Sequence, residues 1–100
     1  MPLQGFQRRH LRSLAQPRKA LVHVGEAGLS ESVLEAVDRA LLEHELVKIR
    51  LHEPEDKKAA ARELAERSRA ELCGLVGHTV ILYRRHPETP RIELPERGQS

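Results

Sequence analysis

"GEAGLSESVLEAVDRALLEHELVKIRL", residues 25–51, passes from a glycine-spaced turn through a helical repeat into an alternating strand. Ser30 is a favourable helix N-cap, because its hydroxyl can accept from a backbone N–H that has no intrahelical partner. Val33, Leu34, Val37 and Leu41 form an apolar stripe at helical spacing, which predicts a helix over 31–43. Leu29 and Leu34 occupy the two positions of a hydrophobic staple. In "LVKIRL", 46–51, Val47, Ile49 and Leu51 point one way and Leu46, Lys48 and Arg50 the other. That pattern predicts a strand with one covered face and a basic second face.

Upstream, "RKALVHV" supplies a short buried strand, 20–24, that the glycines end. Before it, residues 3–15 place Leu3, Phe6, Leu11, Leu14 and Ala15 near helical spacing with Arg8, Arg9 and Arg12 between them, and Pro17 closes this basic amphipathic helix. Downstream of Pro54, residues 55–70 read as a third helix with acids at its start and Arg67 and Arg69 at its end, as the macrodipole favours. "LCGLVG" and "VILYRR", joined through Gly77, His78 and Thr79, read as a β-hairpin. The order α-β-α-β-α-β-β predicts an α/β fold, a mixed four-stranded sheet with packed helices. The expected domain covers 1–86, followed by a Pro-rich extended tail over 87–100 with Ile92 and Leu94 against the body.

One hundred residues suffice for a single core and one site. The net charge is only +2, but it is segregated along the chain. Met1 to Val24 carries five basic residues and no acid, whereas Gly25 to Glu45 carries six acids and only Arg39. A basic segment on a nearly neutral chain suits a polyanionic partner, although a solvated helix face would look the same. Cys73 is the only cysteine, so neither an intramolecular disulfide nor a cysteine-based zinc cluster can form, which fits a reducing compartment. No stretch resembles a signal peptide or reaches membrane-spanning length, so a cytoplasmic protein, expected as a monomer, is the reading.

The glycine pair, Gly25 and Gly28, allows a tight turn and leaves room for another molecule's backbone where a Cβ would stand. The helix N-terminus behind it favours phosphate. Arg18 and Lys19 lead towards this loop, and Lys48 and Arg50 project from the next strand. Glu26, inside the loop, opposes phosphate, and a ligand-free turn is the simpler alternative. No catalytic, metal or cofactor site is expected. His44 and Glu45 are followed by Lys48 where a metalloprotease helix needs a second histidine, and no P-loop or dinucleotide fingerprint is present. Cys73 in an apolar strand reads as a structural thiol. Phe6 and Tyr83 are the only aromatic residues, which disfavours a sheet that stacks several bases on rings.

The glycine-to-strand stretch together with "VGHTVILYRR" resembles the CRM (chloroplast RNA splicing and ribosome maturation) family, especially its bacterial single-domain YhbY-like members. The shared order is GxxGL, a helix, HEL-K, a helix, then G-x-T-hydrophobic-YR, over nearly the whole chain to Arg85. The resemblance implies a fold like the C-terminal domain of translation initiation factor three. It also implies a non-enzymatic RNA-binding module associated with precursors of the large ribosomal subunit. The family loop maps to Gly25, Glu26, Ala27 and Gly28, and its basic RNA-facing surface to Arg8, Arg9, Arg12, Arg18, Lys19, Lys48 and Arg50, with Arg84 and Arg85. The alternative is a protein–protein adaptor that docks a basic ribosomal protein on Glu31, Glu35, Asp38 and Glu43 of the second helix.

Overall fold

The structure, a computed structural model, describes residues 3–96, so the end of the expected tail, 97–100, lies outside the described residues. The elements are α1 (Gly5–Ala15), β1 (Val22–His23), α2 (Glu31–His44), β2 (Leu46–Arg50), α3 (Lys57–Arg67), β3 (Glu71–Val76) and β4 (Thr79–Tyr83). The order is the one expected from the sequence. The strands form one sheet in the order β1-β2-β4-β3, with β1 parallel to β2 and β4 antiparallel to both β2 and β3. α2 is the crossover that the parallel pair requires.

Local chemistry sets the helix starts. The Ser30 hydroxyl accepts from the Val33 amide at 3.3 Å, and the Asp56 carboxylate accepts from the Ala59 amide at 3.1 Å. α2 and α3 lie on one face of the sheet. There Val37 and Leu41 of α2 and Ala61, Leu64 and Ala65 of α3 close over Val22, Val47, Ile49, Val80 and Leu82. Leu29 and Leu34, the staple pair, pack on the edge of this core.

The opposite face differs from the bare basic surface expected for β2. Leu46 is buried together with Cys73, Ile81 and Tyr83 beneath Leu3, Leu11 and Ala15 of the α1 segment. The apolar stripe of α1 needs a partner, and the apolar residues at alternate positions of β2, β3 and β4 provide it. At the β3 edge the register shifts between Leu72 and Gly74, which leaves Cys73 as the extra residue of a bulge. Its carbonyl is satisfied from outside the sheet by Arg12 of α1, whose guanidinium donates to Cys73 O at 2.8 Å. Gly74 makes this possible, since a Cβ there would stand 2.7 Å from Cδ of Arg12.

Glu45 fastens the C-terminal segment. It caps α2 at φ 63°, in the left-handed region, and is only 1% exposed. Its carboxylate accepts backbone N–H bonds from His86 (2.8 Å), Arg91 (2.7 Å) and Ile92 (2.9 Å). Ile92 and Leu94 are thereby held against the second core. Burial alone would raise the Glu45 carboxyl, but the three amide donors and the Arg91 charge outweigh it and hold it below its ordinary 4.5. A carboxyl depressed in the folded state contributes stability in full above 4.5, and that contribution is lost as pH falls through the lowered value. Glu45→Gln should therefore cost about 1–3 kcal/mol at neutral pH. In urea titrations across acid pH, the gap to the parent protein should narrow below 4.5.

Candidate nucleic-acid interface

Because β1, β2 and β3 run the same way, their C-terminal ends share one end of the sheet with the β3–β4 turn. The glycine loop emerges there. Gly28 N donates to Gly25 O at 3.0 Å, closing a turn around Glu26 and Ala27, and Ser30 N donates to Gly28 O at 2.9 Å. Gly28 sits at φ +73°, a conformation that requires glycine or costs strain. Gly25 has no positive φ, and a Cβ on either glycine would meet nothing within 4 Å. The turn thus explains Gly28 and leaves Gly25 without an internal reason. Glu26 points outward with its side chain 91% exposed, its carboxylate 3.9 Å from the His52 imidazole.

The basic residues divide by location. Arg50, at the loop end of β2, is exposed, and so is Arg9 on α1. Lys48 and Arg12, with Arg9, Ser13 and Gln16, border a groove between α1 and the sheet. Arg8 is half-buried further back on α1, near enough to Cys73 to influence it. Arg18 and Lys19 are not at the loop. Arg18 donates to Leu46 O at 2.9 Å, at the far end of β2, which is about 13 Å from Arg50 at roughly 3.3 Å per residue. Arg84 and Arg85 follow β4 at that same far end, since Tyr83 pairs with Leu46.

Several of these cations are already engaged. Arg84 donates to Ser68 O (2.9 Å) and Asp38 O (3.1 Å) and pairs with the Asp38 carboxylate at 2.8 Å, tying α2 to the end of α3. Lys48 Nζ donates to the carbonyls of Gln16 (3.0 Å) and Arg18 (3.1 Å). Arg12 holds the bulge. Among the described residues the side chains of Arg8, Arg9, Lys19, Arg50 and Arg85 make no hydrogen bond or ion pair. The acidic set of α2 is also partly committed, with Asp38 on Arg84 and Glu43 3.6 Å from His44, while Glu31 and Glu35 stay exposed.

His23, Thr79 and Val76, which the sequence does not single out as site residues, complete this surface beside Arg50. His23, Arg50, Thr79 and Val76 stand side by side across all four strands, on the α1 side of the sheet. The Val22-His23-Val24 alternation carries the signal for His23, since both valines are core. Burial pushes the Cys73 thiol up to about 12, against the opposing charges of Arg8 and Arg12, so it is neutral and inert near neutral pH. Burial also raises the Tyr83 hydroxyl, as expected of a core side chain. No group of three or more His, Cys, Asp or Glu among the described residues could hold a metal ion. No described helix is long and apolar enough to cross a membrane.

The model of the CRS1 / YhbY (CRM) domain matches residues 3–84. The chain belongs to the CRM family. It is 35% identical over 95 residues to Probable RNA-binding protein YqeI of Bacillus subtilis, covering 93% of this chain and 99% of that one. It is 36% identical over 90 residues to Probable RNA-binding protein PA4753 of Pseudomonas aeruginosa, covering 88% and 86%. The solution structure of the hypothetical protein SAV1595 from Staphylococcus aureus superposes with a TM-score of 0.81 at 36% identity, covering 93% of this chain and 99% of that one. The mixed sheet with its three helices is thus the fold of this CRM chain as well as the one read from its sequence.

The different duties of neighbouring arginines are testable. Arg12→Ala should cost about 1 kcal/mol of unfolding free energy, because the bulge carbonyl loses its donor. Arg9→Ala, which breaks no bond within the chain, should stay within about 0.5 kcal/mol of the parent in the same denaturant titration.

Proposed function

We propose that this protein binds RNA without acting on it chemically, holding the sugar–phosphate backbone at Gly25–Gly28 with Arg50 at the same end of the sheet and Arg9 along the α1 groove, and that its target is precursor RNA of the large ribosomal subunit. Membership of the CRM family and relatives named as RNA-binding proteins support the RNA partner. The ribosomal target rests on the resemblance to YhbY-like members. The observation that carries the site is Gly25, a glycine in open space and without a positive φ, at the loop end of β1. Nothing inside the fold asks for a missing Cβ there, whereas close approach by a phosphate does.

Gly25 also gives a cleaner test than Gly28. A side chain at Gly28 strains the turn by on the order of 1–2 kcal/mol, so lost binding could be lost folding. Gly25→Asp puts a carboxylate into empty space and should melt like the parent. Its affinity for ribosomal RNA fragments should fall on the order of tenfold or more through repulsion of phosphate. In the reverse direction, Glu26→Lys should tighten binding and steepen the dependence of log K on log salt by about 0.7, one contact on a single strand. A folded Gly25→Asp protein with parental RNA affinity would move the interface off the loop. Sedimentation of the tagged protein with large-subunit precursors in a ribosome gradient tests the ribosomal target. Migration at the top of the gradient in growing cells would remove it.

A further inference from the structure

α1 crosses one face of the sheet and divides it, and the two flanks are treated differently. On one flank the chain covers itself, with Ile92 and Leu94 against the second core and Gln7 Nε2 donating to Pro95 O at 3.3 Å. On the other lies the groove, about 420 Å³, with Val76 and the edge of Ile81 as an apolar floor. Val76 is 66% exposed. The cross-strand row His23, Arg50, Thr79 and Val76 leads from the strand before Gly25 into this groove. Its three interstrand steps span about 14 Å at roughly 4.8 Å each. Two cations without an internal partner stand on the path, Arg50 in the row and Arg9 on the α1 wall, while Arg12 and Lys48 are fixed by carbonyls and shape the wall.

We propose that this groove receives an unpaired nucleotide of the bound RNA, its base on Val76 and Ile81 and the flanking phosphates towards Arg9 and Arg50. The assignment rests on the RNA-binding reading above and narrows its substrate class to single-stranded RNA. The chemistry is a matched pair. An apolar floor between free cations is complementary to a flat base carried on an anionic backbone. A-form duplex keeps its bases stacked inside and offers phosphates and 2′-hydroxyls. It would satisfy the arginines and leave Val76 without a base to cover it. Base contact on aliphatic side chains also fits a chain whose one buried tyrosine, Tyr83, is unavailable for stacking.

The test uses the full chain with two RNAs of equal phosphate count, a single-stranded oligouridine and a blunt-ended, fully paired duplex, each titrated by fluorescence anisotropy. Val76→Ser removes the apolar floor without touching charge, and thermal melts check that it stays folded. It should weaken oligouridine binding by roughly five- to tenfold and leave duplex binding unchanged, while Val76→Ile should retain the parental preference. Parental oligouridine affinity in Val76→Ser overturns the assignment, and so does an equal loss on both RNAs. A parent protein that binds neither RNA removes the RNA-binding reading itself. Loss in Gly25→Asp with no effect of Val76→Ser leaves that reading standing and removes only the groove.

Discussion

Leu46 and Val47 are neighbours in β2 and each is 1% exposed, so a four-stranded sheet in a chain of one hundred residues must be roofed on both faces. Successive strand residues point to opposite sides, and no single layer of helices can bury both. α2 and α3 roof one face. The other has only α1, a helix of 11 residues, which cannot cover four strands by itself. Most of the architecture is a response to that shortage. The C-terminal segment is drawn in to cover one flank of α1, and the remaining flank stays open beside the glycine loop.

Two polar devices hold this second roof, and each satisfies backbone that burial or irregularity would leave unpaired. The bulge at Cys73 frees a carbonyl, and Arg12 reaches it from α1 across the space that Gly74 leaves empty. The C-terminal segment carries amides that belong to no strand, and Glu45 collects three of them on one carboxylate. An unpaired buried amide or carbonyl costs about 1–3 kcal/mol. These bonds therefore direct where α1 and residues 86–92 can settle, beyond what apolar contact alone would specify.

The helices, the Ser30 cap and the element order are legible in the sequence because they depend on neighbours in the chain. Ser30 with Leu29 and Leu34 announces α2 without reference to the sheet. The second face of β2 was misjudged for the converse reason. Lys48 and Arg50 look like a solvated face locally, and only the unmatched stripe of α1, Leu11 and Ala15, hints that Leu46 has a roof. Sequence gives an arginine's charge but not where a long side chain ends. Arg8, Arg9 and Arg12 look alike in "QRRHLR", yet one is spent on a backbone carbonyl and another stands free. Proximity in the chain groups Arg18 and Lys19 with the loop and the family pattern adds Arg84 and Arg85 to the basic surface, but strand direction carries all four to the other end. Glu45 had a signal that went unused. An acid at the C-terminal end of a helix opposes the macrodipole, so its presence there asks for donors from elsewhere.

The two glycines of the loop show how far structural explanation reaches. A residue is accounted for when its backbone angle, its packing or its hydrogen bonds would fail with another side chain in its place. Gly28 meets that criterion through its φ of +73° and Gly74 through the arginine lying over it, but Gly25 meets none of the three. Glycine where alanine would fit also costs roughly 0.4–1 kcal/mol, chiefly through the larger conformational entropy of the unfolded chain. On the proposed RNA-binding reading, the chain concedes that stability for the close approach of a phosphate. The position of Gly25, at the same end of the sheet as the free Arg50 and the row that leads towards Arg9, gives that concession a direction.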